Sequence, residues 1–235
     1  MGLKDDLETD VNTILGQAWD VRDGQVVPEM EDVALAGGAV KLTATMLYAD
    51  LADSTQLAMY DRRVAAKTFK CFLTCCSKIT RERGGEIRSF DGDRVMGVFI
   101  DDYKNTSAAK CALHINYAFL KIIKPKLEAK YEVFRNGTYK LAHCVGVDTS
   151  EVLVIRGGIR NNNDLVWVGR APNVVAKLSS IRNSPYHSYI TETVYDIMNE
   201  EAKTSDGKSM WEKRTNSDVV EGIDTIYRSS WTWVP

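Results

Sequence analysis

The first twenty residues carry hydrophobic side chains at helical spacing. They recur every three or four positions among charged residues: Leu3, Leu7, Val11, Leu15 and Ala18. This period predicts an amphipathic helix over residues 1–21. The stretch that follows contains Gly, Pro and acidic residues without a hydrophobic period, which is typical of a linker. We therefore expect an N-terminal helical extension with its linker over residues 1–39, followed by one domain over residues 40–235.

Beyond the linker, strand-like and helix-like patterns alternate. Runs rich in β-branched and aromatic residues predict strands, and the Asp91-Gly92 dipeptide between two such runs indicates a tight hairpin. The predicted elements are a strand at 39–51, a helix at 54–81 that breaks near Tyr60, a hairpin at 85–100, a helix at 106–129 that is interrupted or ends near Pro125, strands at 140–157 and 164–168, a helix at 172–181, a strand leading into a helix at 188–198, and a last strand at 224–234.

This order of elements defines a fold class. A strand, a helix, a hairpin, a helix and a further strand are the succession of a ferredoxin-like sheet with helices on one face. We therefore predict an α+β protein with an antiparallel-dominated sheet and an additional N-terminal helix.

Composition excludes several classes of partner. The 235 residues are 44% hydrophobic, enough for one large core, and the net charge of -2 is not that of a nucleic-acid-binding protein. No apolar run approaches the roughly 18 residues of a membrane span, and the N-terminus lacks the pattern of a secretory signal. The five cysteines have no ligand spacing and are typical of thiols in a reducing compartment. We expect a cytoplasmic protein without a membrane or nucleic-acid partner.

Two carboxylates point to chemistry. In the predicted topology Asp50, at the end of the first strand, and Asp93, at the hairpin tip, meet at one end of the sheet. Two such carboxylates repel unless a proton or cation lies between them, and a divalent ion with a triphosphate would suit them. The following turn could bind phosphate through its amides at a helix N-terminus, and Ser54 or Thr55 could cap that helix. The turn residues are Ala52, Asp53, Ser54 and Thr55. The simpler alternative is that all these residues only cap helices and form turns.

Four segments resemble the class III nucleotidyl cyclase domain, the fold of adenylate and guanylate cyclases. In order along the chain they are LYADLADSTQLA, GGEIRSFDGDRVMGVF, HCVGVDTSEVLV and VWVGRAPNVVAKLSSI. The first resembles the family's metal motif, the second its Gly-Gly…Gly-Asp hairpin, the third its Gly-x-His-x-Gly strand, and the fourth its Asn helix. In the third segment, Asp148 and Thr149 replace the His and the residue after it.

The resemblance implies the site residues. Asp50 and Asp93 match the family's two metal-binding aspartates, and the Leu51 carbonyl matches its backbone ligand. Two Mn²⁺ or Mg²⁺ ions per site are implied. Asn173 matches the Asn that positions the ribose, and Lys177 stands where the family usually has an Arg that stabilises the transferring phosphate. The resemblance also implies a homodimer with composite sites, in which one chain supplies the aspartates and the other supplies the base pocket and the Asn helix.

The base-selecting positions depart from the purine cyclases. Ser89 and Val166 stand where those enzymes have polar residues that read a purine edge. Tyr48 and Arg94 flank the metal carboxylates and are candidates for a smaller base pocket; the simpler alternatives are core packing for Tyr48 and a solvated strand position for Arg94. The chain is similar in this respect to the pyrimidine cyclases of Pycsar antiphage systems. That similarity implies conversion of UTP, slightly favoured over CTP, to cUMP or cCMP, and a separate effector with a cyclic-nucleotide-binding domain.

Two other functions stay open at this point. One is a purine cyclase of relaxed selectivity, and the other is a catalytically silent protein that binds nucleotide and signals to a partner. A diguanylate cyclase is disfavoured because its Gly-Gly-Asp/Glu-Glu-Phe turn is absent from the hairpin. A palm-type polymerase is disfavoured because the charge balance does not predict a basic groove.

Overall fold

The chain forms two compact units. A computed structural model describes residues 2–215 and 220–235; Met1, which the predicted N-terminal helix included, lies outside them. Among the described residues, the smaller unit consists of residues 2–43 and 151–169, and the larger of residues 44–150, 170–215 and 220–235. Two long strands, β2 (Gly38–Leu51) and β5 (His143–Ile159), contribute residues to both units.

The smaller unit begins with α1 (Leu3–Gly16), which ends earlier than the predicted residue 21. Residues Asp20–Asp23 instead form β1, which pairs in parallel with the start of β2. The prediction of helix there was wrong because strand pairing overrides the local helical period. In the same unit β6 (Asn162–Gly169) pairs antiparallel with the second half of β5.

The larger unit contains most of the elements. In chain order they are α2 (Ser54–Tyr60), α3 (Arg62–Glu82), β3 (Glu86–Asp91), β4 (Arg94–Phe99), α4 (Lys104–Tyr117), a π-helical segment (Ala118–Ile123), α5 (Lys124–Lys130), α6 (Glu132–Arg135), α7 (Arg170–Leu178), β7 (Ser188–Thr191), α8 (Glu192–Ile197), α9 (Glu200–Lys203), β8 (Thr204–Ser205), β9 (Lys208–Ser209), β10 (Glu212–Arg214) and β11 (Ile226–Ser229), together with the remaining parts of β2 and β5.

The strand order of the larger unit confirms the predicted neighbourhood of the first strand and the hairpin. The order is β10-β11-β7-β5-β2-β4-β3. Strand β4 is antiparallel to both β2 and β3, and β7 is parallel to β5 but antiparallel to β11. The fold is therefore α+β as predicted, with a mixed sheet in which antiparallel pairs predominate.

The core lies on the helix-covered face of this sheet, where α3 and α4 pack against β4. Leu47, Ala49 and Leu51 alternate along β2 into that core, together with Phe99 of β4. Because side chains alternate across a strand, Tyr48 and Asp50 point to the opposite face. The alternation in LYADL therefore separates the core from the site.

Helices form where they were predicted, but several begin or end at other residues than predicted. The break near Tyr60 is confirmed: Asp61 separates α2 from α3 and caps α3 by accepting from the Arg63 and Val64 amides. The predicted interruption near Pro125 is confirmed: the π-helical segment Ala118–Ile123 separates α4 from α5. Pro125 lies in the first turn of α5, where its missing N–H is tolerated. The short strands β8, β9 and β10 were not predicted because they lack a hydrophobic period.

Candidate active site

Asp50 is a buried carboxylate at the end of β2. Its side chain retains 10% of its exposure and forms ion pairs with two arginines of the same unit. Arg182 Nη2 lies 2.8 Å from Asp50 Oδ2, and Arg94 Nε lies 3.5 Å from Asp50 Oδ1. Burial of a carboxylate is costly without such compensation, and the two arginines offset that cost for Asp50.

Asp93 is the second carboxylate and is only partly compensated. The hairpin turn carries Gly92 at φ 60°, a conformation that favours glycine, and this turn places Asp93 beside the end of β2. Ser54 Oγ donates to Asp93 Oδ1 at 2.9 Å. Burial raises the pKa of Asp93, the Ser54 hydrogen bond lowers it, and the charge of Asp50 raises it. The structure thus brings together the two carboxylates that the sequence predicted to meet.

The turn after Asp50 is fixed by hydrogen bonds to residues 139 and 142, which lie far from it in the sequence. The Tyr139 hydroxyl donates to the Ala52 carbonyl, and the Ala52 amide donates to Ala142 O at 2.9 Å. Asp53 adopts a left-handed conformation at φ 52° before α2. Since the Ala52 amide is engaged, any phosphate contact in this turn falls to residues 53–55. Ser54 was expected as a possible helix cap, but its hydroxyl goes to Asp93 instead.

The open face of the sheet carries most of the predicted base-pocket residues. Tyr48 lies opposite Met96, and Met96 lies opposite Ser89, so the three form a row across β2, β4 and β3. The Arg94 guanidinium lies 5.5 Å from the centre of the Tyr48 ring, and burial raises the pKa of Tyr48. Val166 lies on β6 in the smaller unit, where its side chain is exposed.

Helix α7 presents the other two predicted residues. Asn173 and Lys177 are exposed on its surface, while Val174 and Leu178 are buried beneath it. Glycine is required on β5 for this packing: a Cβ at Gly146 would lie 2.6 Å from Leu178 Cβ. The helix therefore rests directly on the sheet and displays Asn173 and Lys177 outward.

The start of α7 is anchored by a buried carboxylate. Asp148 accepts from Thr191 Oγ1 at 2.6 Å and from Arg170 Nη2 at 3.0 Å, and the same Arg170 nitrogen donates to the Thr149 carbonyl. Asp148 is one of the two positions that depart from the family's Gly-x-His-x-Gly strand. In this chain it fixes the first residue of the helix that carries Asn173.

The carboxylate pair fits a hard divalent cation. Asp93 Oδ2 is buried and has no hydrogen-bond partner within residues 2–215 and 220–235. An acceptor left in this state costs free energy that a cation would recover. No larger cluster of His, Cys, Asp or Glu suited to a metal occurs in the described parts of the chain. Backbone carbonyls, water and substrate oxygens would have to complete the ligand set.

Sequence reasoning missed four residues at or near this site: Met96, Tyr139, Arg170 and Arg182. Met96 could have been found from the strand register alone. Tyr139 and Arg182 belong to segments without a motif, and their contacts join residues 87 and 132 positions apart in the chain. Only the fold brings them to the site.

Comparison with solved structures defines the class of protein. The adenylyl cyclase CyaB from P. aeruginosa matches with a TM-score of 0.65 at 19% identity, over 81% of this chain and 95% of that chain. Identity at this level shows the fold alone. The fold is that of the class III nucleotidyl cyclases, as expected. No family model matches the chain.

Curated relatives define the family more closely. The uridylate cyclase of Rhodovulum sp. (strain MB263) is 47% identical over 98% of this chain and 97% of its own length. The uridylate cyclase of Xanthomonas perforans is 43% identical over 99% of both. The chain belongs to the family of these uridylate cyclases, which lies within the class III nucleotidyl cyclases. It is a nucleotidyl cyclase that acts on a nucleoside triphosphate.

Proposed function

We propose that the chain converts UTP to 3′,5′-cyclic UMP and pyrophosphate. The observation that supports UTP over other triphosphates is the similarity, over nearly the whole chain, to two relatives named uridylate cyclase. The departures at these two positions agree with it, because Ser89 lacks the Lys ammonium and Val166 lacks the Asp or Thr side chain with which adenylate cyclases read their base. CTP is the nearest alternative substrate.

The reaction is an intramolecular phosphoryl transfer. The ribose 3′-oxygen forms a bond to the α-phosphorus, the bond from the α-phosphorus to the β-phosphate oxygen breaks, and the 3′-hydroxyl proton passes to solvent. Such transfers rely on positioning and on stabilisation of charge. Two divalent ions, Mn²⁺ or Mg²⁺, held by Asp50, Asp93 and the Leu51 carbonyl, would lower the pKa of the 3′-hydroxyl and screen the triphosphate.

Asn173 and Lys177 act on the ribose and the phosphate. The Asn173 amide can hydrogen-bond the sugar, and the Lys177 ammonium can neutralise charge that develops on the α-phosphate. Lys replaces the usual Arg and so provides a point charge in place of a bidentate fork. Both side chains are exposed on α7, which supports a homodimer in which each chain offers this helix to the partner's aspartates.

Selection of uracil follows from the donors beside Asp50. Arg94 has only hydrogen-bond donors, and uracil presents a carbonyl acceptor at the position where cytosine presents an amino donor. Tyr48, which lies under the Arg94 guanidinium, can supply an aromatic face to the base. Together with Ser89 these residues remain the candidates for the base pocket within the larger unit, Val166 remains a separate candidate, and the amides of residues 53–55 remain candidates for phosphate.

The biological role that we propose follows from the resemblance to Pycsar systems. Cyclic UMP would serve as a second messenger in bacterial antiphage defence and would be bound by a separate effector with a cyclic-nucleotide-binding domain. The enzyme would work in the cytoplasm, where UTP is available. No helix among the described residues is long and apolar enough to cross a membrane. Residues 40–235 would be the catalytic domain, with residues 1–39 as its extension.

Substitution of either aspartate tests the site. We expect Asp50→Ala and Asp93→Ala each to lower UTP turnover by about a hundred- to a thousandfold, the scale for loss of a main electrostatic group, while the dimer remains. Asp91→Ala is the matched control, because Asp91 is an exposed carboxylate on the same hairpin. Full activity in either site variant would contradict the assignment.

A further inference from the structure

Arg182 contacts two of the groups that the proposed function assigns to the divalent cation. Its Nη2 atom donates to Asp50 Oδ2 at 2.8 Å and to the Leu51 carbonyl oxygen at 3.2 Å. One positively charged nitrogen therefore bridges the carboxylate and the adjacent backbone oxygen.

The other arm of the guanidinium is fixed as well. Nη1 donates to the Ser179 carbonyl at 2.7 Å and to the Ile181 carbonyl at 3.0 Å, just beyond the end of α7. A planar fork bonded on both sides loses little further freedom when it binds Asp50. Arg182 keeps 32% of its side-chain exposure, but its hydrogen bonds on both sides hold it in place against Asp50.

We propose that Arg182 is a resident cation: it neutralises Asp50 before the divalent ion binds and must be displaced when the ion binds. The inference rests on the proposed function for the assignment of Asp50 and Leu51 to the ion. Its physical basis is that the ion would bind the same two oxygens to which Arg182 Nη2 donates, and that a guanidinium and a divalent ion on the same oxygens repel each other.

Arg94 does not fill this role. Its Nε lies 3.5 Å from the other Asp50 oxygen and makes no hydrogen bond within the described chain. It can remain as an ion-pair partner when Asp50 Oδ2 and the Leu51 carbonyl are taken by the ion. The exchange therefore concerns Arg182 alone.

Two effects follow. Without metal, Arg182 stabilises the folded chain by compensating a buried carboxylate. With metal, breaking the charge-assisted hydrogen bond weakens the apparent affinity of the site. Such a bond to a charged group corresponds to about tenfold in an equilibrium constant.

The experiment measures Mn²⁺ binding to the full chain without nucleotide, by the electron paramagnetic resonance signal of free Mn²⁺. We expect Arg182→Gln to bind Mn²⁺ about tenfold more tightly than the wild type. Arg135→Gln is the matched control, because Arg135 also donates to two carbonyls at a helix end, those of Glu128 and Ala129, at 3.2 Å and 2.8 Å. Its affinity should equal that of the wild type.

Thermal melting gives an independent readout. Metal-free Arg182→Gln should melt below the metal-free wild type, and the difference should close at saturating Mn²⁺. If Arg182→Gln does not fold, Arg182→Lys keeps a charge without the double bridge and should show an intermediate Mn²⁺ affinity.

The outcomes separate this inference from the proposed function. If the wild type binds Mn²⁺ and cyclises UTP but Arg182→Gln binds Mn²⁺ no more tightly, the resident-cation role is wrong and the function stands. If the wild type neither binds Mn²⁺ nor cyclises UTP, the proposed function fails and the inference fails with it.

Discussion

At the scale of single residues, the buried histidines connect stability to pH. His143 is buried at the start of β5, and neither ring nitrogen has a hydrogen-bond partner in the described chain. Its ring lies 4.2 Å from that of Phe119 and 5.0 Å from that of His187. Burial lowers the pKa of His143 well below its ordinary value, and the neighbouring His187 lowers it further. The folded chain therefore holds the neutral ring.

This gives a prediction with a definite sign. A depressed histidine contributes stability above the unfolded pKa of about 6.5, which is lost as the pH falls toward the folded pKa, at up to about 1.4 kcal/mol per pH unit. We expect His143→Phe to reduce the loss of unfolding free energy between pH 7 and pH 5, measured by urea denaturation. Phe119→Leu, a change in the same cluster without a titrating group, should keep the wild-type slope. An unchanged slope in His143→Phe would contradict the account.

Some residues of the site could be predicted from the sequence and others could not. Asp50 and Asp93 were predictable because each lies where a turn begins or ends a strand, in a motif with characteristic spacing. Arg182 was not, because nothing in its neighbourhood departs from an ordinary helix end, and its partner is 132 positions away. Ser54 was identified, but it was predicted to cap a helix. Its actual partner, Asp93, is 39 positions away, and only the tertiary structure brings the two together.

At the scale of elements, α7 is the part whose placement the chemistry needs most. Its buried side rests on β5 through Gly146, and its first residue is held by Asp148 through Arg170. The predicted helix at 172–181 had the correct side chains on its surface, but its anchoring could not be read from a pattern. The need for glycine at 146 and for aspartate at 148 is evident only from the packing of the helix on β5.

Gly146→Ala tests this packing. The added methyl would meet Leu178 Cβ at 2.6 Å and the Val175 carbonyl at 2.7 Å, so α7 must shift away from the sheet. Overpacking of this kind costs about 1–3 kcal/mol, and kcat should fall because Asn173 and Lys177 move with the helix.

The matched control is Gly16→Ala, where an added Cβ meets nothing within 4 Å; it should change the unfolding free energy and kcat little. Wild-type kcat with wild-type stability in Gly146→Ala would show that the close approach of α7 is unimportant.

Other elements show where local pattern fails. The hairpin and the strand before it were predicted because their hydrophobic alternation and Asp-Gly turn are local signals. Strand β1 was missed because all four of its residues are exposed and only pairing with β2 makes it a strand. A segment could be predicted as helix or strand wherever its partial burial gives the sequence a regular spacing of hydrophobic residues.

At the scale of the whole molecule, the proposed reaction needs composite sites, each built from two chains. We predict that Asp50→Ala and Lys177→Ala chains, each inactive as a homodimer, recover activity when co-expressed. Random pairing makes half of the dimers mixed, and each mixed dimer has one intact site of two. Turnover per dimer should therefore reach about a quarter of the wild-type value.

The control is co-expression of Asp50→Ala with Asp93→Ala, because both changes damage the same half of a site. That mixture should stay inactive, since every mixed site keeps one defective aspartate. Failure of the first mixture to recover, with dimers present, would mean that aspartates and α7 act within one chain.

This nucleotidyl cyclase should select UTP, and turnover of the four nucleoside triphosphates measures that selection. The purified chain is given ATP, GTP, CTP and UTP singly with Mn²⁺, and the products are separated by mass. We predict cyclic UMP and pyrophosphate from UTP, with each of the other three converted at a small fraction of that rate. A cyclic purine product as the major product would contradict the selectivity, and absence of product from all four would contradict the enzyme site itself.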